Sequence, residues 1–73
     1  MEAKFTINRQ GAFLNIPRLF FGENAPPKEI TLICNGKEIK ARLYFVYPRV
    51  YRYRVYSKYA SHLADDVECK LVN

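Results

Sequence analysis

The sequence predicts a mainly β (β-rich α+β) domain, a small antiparallel sheet or partly open barrel of about six strands with one or two short helices. Its 73 residues, 49% of them hydrophobic and 26% charged, suffice for one core and are too apolar for a disordered chain. Short segments of alternating apolar and polar residues lie between Gly, Pro and Asn-Gly turn signals. No repeat or linker-like tract divides the chain, so we treat residues 1–73 as a single small basic domain.

The N-terminal segment predicts two short strands around a glycine turn. Lys4–Asn8 alternates polar and apolar residues, and Phe13–Ile16 resumes an apolar run after Gly11. Pro17 suits the first position of a helical turn and Gly22 suits its end. We therefore expect one helical turn there, which carries inward the side chains of Leu19, Phe20 and Phe21.

The central segment contains the strongest local signal, an Asn35-Gly36 pair between two runs of alternating residues. A two-residue loop fixes the register of the hairpin. It would place Cys34 opposite Lys37, Leu32 opposite Ile39 and Ile30 opposite Ala41. The apolar residues of both strands then share one face.

The next strand, Val50–Tyr56, follows a turn whose length decides which side chains face the core. A two-residue loop would place Leu43 and Phe45 opposite arginines. The pattern therefore favours a three-residue loop, Tyr47–Arg49, which directs Phe45 to the core side opposite Tyr51. The same loop pairs Val46 with Val50, Leu43 with Tyr53 and Ala41 with Val55.

The C-terminal segment predicts a short helix or turn over Lys58–Ala64, a turn at Asp65-Asp66 and a last strand over Val67–Val72. With the preceding elements this makes about six strands, which suggests a twisted sheet that curls into a small barrel.

Compartment and cofactors are inferred from what the sequence does not contain. No apolar stretch approaches the ~20 residues of a membrane helix, and no secretory signal is visible, so we expect a cytoplasmic protein without membrane contact. In a reducing compartment Cys34 and Cys69 would be free thiols. His62 has no metal-ligand spacing to either cysteine, so we expect neither a metal nor a cofactor.

Catalysis is not expected. Ser61, His62 and Asp65-Asp66 are residue types found in hydrolase triads, but no nucleophile elbow or oxyanion signature accompanies them. A chain of this size also has little core to spare for a catalytic cleft. We therefore expect a binding protein and not an enzyme.

Basic and tyrosine residues are concentrated in the centre of the chain. The net charge is +5, and residues 48–59 hold four basic side chains and no acidic one. The predicted register gathers one set of side chains on the face opposite the core: Lys40, Arg42, Tyr44, Arg52, Arg54 and Tyr56. Three further cations are expected to extend this surface: Arg9, Arg18 and Arg49.

This combination of residues favours a nucleic-acid interface. Arginine bonds phosphate in a bidentate fork and reads guanine edges, and tyrosine bonds phosphate or stacks on unpaired bases. Duplex DNA is the first expectation. Three other interpretations stay open: a protein-interaction module or inhibitor that uses the same Tyr/Arg face, an RNA-binding protein, and a strand face that is simply solvated.

The segment Ile7–Phe20 resembles the opening of AbrB-type transcription factors and of the DNA-binding pseudobarrel domains found in plant transcription factors and some restriction-endonuclease effector domains. The later order is also similar to the pseudobarrel group, with a hairpin at Glu29–Ile39 and an acidic turn before a closing strand at Leu63–Glu68. The resemblance implies noncatalytic DNA binding in transcription regulation, with strand and loop residues of the concave side in the major groove. An AbrB-type fold would require a strand-swapped homodimer.

Overall fold

A computed structural model of the chain describes residues 2–3, 5–60 and 69–72, with side chains for 5–59 and 69–72. Several predictions lie outside the described residues. These are the second half of the predicted helix, the Asp65-Asp66 turn, the start of the last strand, and Ser61 and His62.

The described residues form seven strands and two short helices. The strands, in chain order, are β1 (Glu2–Ala3), β2 (Phe5–Asn8), β3 (Gly11–Pro17), β4 (Glu29–Cys34), β5 (Lys37–Val46), β6 (Val50–Val55) and β7 (Cys69–Leu71). A 3₁₀ helix covers Arg18–Phe21 between β3 and β4, and the α-helix α1 covers Ser57–Ala60 after β6.

All strand pairs are antiparallel and form one sheet in the order β1-β7-β4-β5-β6-β3-β2. The two ends of this order, β1 and β2, are separated by a single residue in the chain. The N-terminal segment therefore pairs with β7 through one half and with β3 through the other, so the sheet curls on itself. The predicted fold class is confirmed, since β1 and β2 together act as one of six strands.

The core lies on one face of the curled sheet. Every strand from β2 to β7 contributes to a single buried cluster, so the sheet wraps around it. Its members are Phe5, Ala12, Leu14, Ile16, Ile30, Leu32, Cys34, Ile39, Ala41, Tyr51, Tyr53, Val55 and Cys69. We call the opposite face of the sheet the outer face.

The Asn35-Gly36 hairpin is confirmed with its predicted register. Cys34 pairs with Lys37, and the pairing continues in step to Glu29 opposite Arg42. Asn35 and Gly36 have φ of 51° and 79°, the two positive values that a type I′ turn requires.

The predicted three-residue loop between β5 and β6 is wrong. The Tyr47 amide donates to the Val50 carbonyl at 2.9 Å, so the turn has two central residues, and Val46 pairs with Tyr51. The register shifts between Leu43 and Phe45, which leaves Tyr44 as a bulge. Between the start of β5 and the bulge, the predicted pairs of Ala41 with Val55 and Leu43 with Tyr53 are confirmed. Between the bulge and the β5–β6 turn, Phe45 lies opposite Arg52 and is 54% exposed instead of buried.

The prediction that the helical turn after Pro17 carries three apolar residues inward is also wrong. Leu19 is 92% exposed and Phe20 is 45% exposed. Only Phe21 packs against the core, with its ring 5.9 Å from that of Tyr51. A 3₁₀ helix has three residues per turn, so a single short turn can direct only one of three successive side chains to the sheet.

The expected free thiols are absent as well, because Cys34 and Cys69 form a disulfide. The two residues are direct partners in the β4–β7 pairing, and their Cα atoms lie 4.3 Å apart. The expectation rested on the compartment, whereas strand pairing decides whether the sulfurs meet. The bond holds β7 against β4 across a separation of 35 residues.

Reduction of the disulfide is expected to lower the free energy of unfolding by about 3 to 4 kcal/mol, because a cross-link of this span restricts the unfolded chain. Denaturant titrations with and without reductant measure the change. The Cys34→Ala, Cys69→Ala double variant is the control and should not respond to reductant. Two free thiols in the untreated native protein would contradict the bond.

The raised pKa of the Tyr53 hydroxyl predicts a loss of stability at alkaline pH. Its hydroxyl donates to the Pro27 carbonyl at 2.7 Å, and burial, followed by the neighbouring Tyr51, raises the pKa of Tyr53 to about 12 from its ordinary 10.0. The folded state thus keeps a proton that the unfolded state releases above about pH 10, so this stabilisation is complete below that pH and lost as pH rises toward about 12.

Tyr53→Phe is expected to flatten this alkaline decline and to lower stability near neutral pH by about 1 kcal/mol, since the Pro27 carbonyl loses its donor. Denaturant midpoints measured from neutral to strongly alkaline pH test both effects. An unchanged alkaline slope in the variant would refute the assignment to Tyr53.

Candidate nucleic-acid interface

A row of paired residues crosses the outer face. Glu29 pairs with Arg42, Arg42 with Arg54, and Arg54 with Phe13, on β4, β5, β6 and β3. The Arg42–Arg54 pair is the one that the sequence predicted. The register therefore places two arginines directly opposite each other at the middle of the sheet.

Phe13 organises this face although it lies outside the core cluster. Its side chain is only 2% exposed. The guanidinium carbons of Arg52 and Arg54 lie 4.6 and 5.8 Å from its ring centroid, and the Tyr44 ring lies 5.1 Å away. Cations over an aromatic face are attracted by the ring quadrupole, so Phe13 serves as a platform for both arginines.

Arg54 is further held by the turn between β2 and β3. Its Nη2 donates to the Gln10 carbonyl at 2.7 Å. The side chain passes over Gly11, where an added Cβ would lie 3.2 Å from Arg54 Nε. Gly11 also has a φ of 136°, which L side chains rarely adopt. The glycine predicted as a turn residue thus makes room for the Arg54 side chain.

Arg42 is the least constrained of these cations. Within the described residues its side chain makes no hydrogen bond and no ion pair. It lines a surface depression together with Arg54, Val55, Tyr56 and Ser57. The nearby Glu29 carboxylate instead accepts a hydrogen bond from the Tyr56 hydroxyl at 2.7 Å, and this bond is the main cause that raises the pKa of Tyr56.

The remaining predicted residues lie around this centre. Lys40 is one row below Arg42 on the same face, with its Nζ 4.0 Å from a Glu38 carboxylate oxygen. Arg9 is exposed in the β2–β3 turn beside Gly11. Both therefore extend the basic surface toward one end of the sheet.

Arg18 and Arg49 lie at the opposite end, beyond the arginine row. The Arg18 amide donates to the Arg49 carbonyl at 3.0 Å. The Arg18 guanidinium bonds the Tyr51 hydroxyl at 3.2 Å and the Pro48 carbonyl at 3.3 Å, and it lies 5.2 Å from the Tyr51 ring centroid. Arg18 is thus engaged with the β5–β6 turn, while Arg49 is exposed in that turn.

The sequence reasoning missed Phe13 as a member of this surface. The signal was present, because alternation on β3 places Ala12, Leu14 and Ile16 on the core face and Phe13 on the other. Reading Phe13–Ile16 as one apolar run hid that alternation. The exposed rings near the β5–β6 turn were missed for another reason, namely the bulge.

Comparison with family models, with curated proteins and with solved structures finds no match for this chain. Among the residues that the structure describes, no three His, Cys, Asp or Glu side chains are grouped as a metal site requires. Neither helix in the described part of the chain is long and apolar enough to cross a membrane. The pseudobarrel resemblance stays a prediction, and the interpretation of the outer face depends on its geometry.

Gly11→Ala is expected to destabilise the protein by about 1 to 3 kcal/mol, through backbone strain and contact with Arg54. In an Arg54→Ala background part of this loss should disappear, because the contact is gone. Denaturant titrations of the four proteins in the double-mutant cycle give the coupling energy.

Gly36→Ala is the matched control. Gly36 also has positive φ, but an added Cβ there meets nothing within 4 Å. Its effect should simply add to that of Arg54→Ala. If the stability losses of Gly11→Ala and Arg54→Ala also add fully, Arg54 does not lie over Gly11.

Proposed function

We propose that the protein is a noncatalytic nucleic-acid-binding protein whose first partner is double-stranded DNA, contacted by the outer face of β3, β5 and β6. The observation that supports this most is the Arg42–Arg54 pair. Two cations lie opposite each other on neighbouring strands and border one depression. In the part of the chain that the structure describes, no acidic side chain forms an ion pair with either arginine.

The energetics of this pair favour a bound anion. Like charges directly opposite in a sheet destabilise it by some tenths of a kcal/mol. A phosphate between the two guanidinium groups would replace that repulsion with charge-assisted hydrogen bonds, which are about twice as strong as neutral ones. Arg54 is already positioned by the Gln10 carbonyl and Phe13, so little of its side-chain entropy remains to be lost on binding.

The size of the basic surface suits several successive phosphates. At about 3.3 Å per residue, the six residues of β6 span roughly 20 Å. That length corresponds to about six nucleotides of one DNA strand at 3.4 Å each. Arg9 and Lys40 would extend the contact at one end and Arg49 at the other.

A role in transcription regulation and a cytoplasmic location belong to the same proposal. The pseudobarrel resemblance supports the role in transcription regulation.

A protein partner is the second candidate function. It is favoured by Leu19 and Phe20, which are exposed on the 3₁₀ helix beside the basic β5–β6 turn. Aromatic residues and arginine are enriched in protein hot spots. RNA is a third possible partner for the same arginines, and competition with duplex DNA separates these cases.

Arg42→Gln is expected to weaken duplex binding roughly tenfold and to lower the salt slope of log K by about one, through loss of one phosphate contact. Fluorescence titrations at several salt concentrations measure both quantities. Arg42 is chosen because its side chain supports no other described contact. The Arg52→Ala, Arg54→Ala double variant should lose more, but it also uncovers Phe13.

Lys37→Gln is the matched control, since it removes one positive charge from the same strand. Lys37 lies at the Asn35-Gly36 turn, about 17 Å from Arg42 along β5. If Lys37→Gln and Arg42→Gln weaken DNA binding equally, the loss reflects the change in net charge and not a phosphate contact at Arg42. No binding to duplex DNA at low salt would overturn the proposal, and a preference for RNA over duplex DNA would assign the face to RNA.

A further inference from the structure

Two aromatic rings are exposed at the tip of the β5–β6 hairpin. Phe45 is 54% exposed and Tyr47 is 37% exposed. Their ring centroids are 4.8 Å apart, with an angle of 48° between the ring planes. We call these two residues the aromatic tip.

The bulge at Tyr44 creates the aromatic tip. Without it Phe45 would face the core, as the sequence predicted. With it Phe45 lies opposite Arg52, on the side of the sheet that carries the arginines. The hairpin therefore exposes a large apolar ring that the same pattern could have buried.

Arg52 connects the aromatic tip to the arginine row. Its guanidinium lies over Phe13, and its Nη1 is 3.5 Å from the Tyr47 hydroxyl oxygen. Its Nε is enclosed and has no hydrogen-bond partner among the described residues. The basic surface and the two rings are thus parts of one continuous face.

The other tyrosines of this region already have partners. Tyr44 packs on Phe13, Tyr56 bonds Glu29, and Tyr51 and Tyr53 belong to the core. Tyr44 is nevertheless 51% exposed, so the stacking that the sequence suggested for Tyr44 and Tyr56 stays a prediction, and Phe45 and Tyr47 add two further rings.

We infer that Phe45 and Tyr47 stack on unpaired bases, so that the preferred ligand is a DNA duplex that contains a short unpaired segment. This rests on the proposed function, since the arginine row would hold the flanking phosphates. Every base offers a π face, and proteins that bind unpaired nucleotides combine aromatic rings with a basic groove. Bases in an intact duplex are stacked on one another, so only an unpaired segment exposes such faces.

The experiment compares two DNA molecules of equal length and charge. One is a fully paired duplex and the other carries a short central stretch of mismatched, unpaired bases. The protein should bind the unpaired form roughly tenfold more tightly. Phe45→Leu keeps an apolar side chain but loses the ring, and should abolish this preference without changing affinity for the paired duplex. Phe45→Tyr keeps a ring and should preserve it.

Several results would overturn the inference. Equal affinity for the two DNA molecules refutes stacking but leaves duplex binding intact. If Phe45→Leu keeps the full preference for the unpaired form, an apolar side chain without a ring suffices, as in a wedge between base pairs. If the protein alone forms a dimer that Phe45→Leu disrupts, the aromatic tip is a self-interface. Failure to bind either DNA removes the proposed function and the inference together. Where both DNA molecules bind, Arg42→Gln should weaken the two complexes equally, because it acts on the phosphate contact and not on stacking.

Discussion

The pairing of β5 with β6 determines which side chains form the core and which form the outer face. Side chains alternate along a strand, so a shift of one residue exchanges the two faces. Below Tyr44 the register sends Leu43 and Tyr53 inward and Arg42 and Arg54 outward. Above it the bulge reverses the alternation on one strand only, so core packing and an exposed aromatic residue occur within a single hairpin.

Phe13 explains how the sheet tolerates neighbouring arginines that form no ion pair in the described part of the chain. Each guanidinium over an aromatic ring gains about 0.5 to 1 kcal/mol at a partly exposed site. That exceeds the tenths of a kcal/mol lost to repulsion across the strand pair. Arg52 and Arg54 are therefore stable on this face without a ligand. Among the described residues Arg42 has no such ring contact, so in the proposed function it is the arginine with most to gain from a phosphate.

The sequence was sufficient where local chemistry decides the structure and insufficient where distant pairing does. Asn35-Gly36 specifies both a turn type and a register, so that hairpin was predictable. The Arg42–Arg54 pair was predicted from a wrong loop length, and it is nevertheless correct because the bulge at Tyr44 compensates for the shorter loop. A three-residue loop, and a two-residue loop with a bulge, give identical pairs below Tyr44, and no residue type distinguishes them. The Cys34–Cys69 bond depends on β7 joining β4, which a separation of 35 residues does not reveal.

Sheet closure limits how a partner can be recognised. Strands β5 and β6 each have two paired neighbours, so their backbone donors and acceptors are already used within the sheet. At the ends of the order, β1 and β2 are consecutive pieces of one segment, which brings the two edges together. Strand addition, which needs an open edge, is thus unavailable to β5 and β6. In the proposed function, recognition by the outer face would come from side chains, and the long ones there are arginines, Lys40 and aromatic residues.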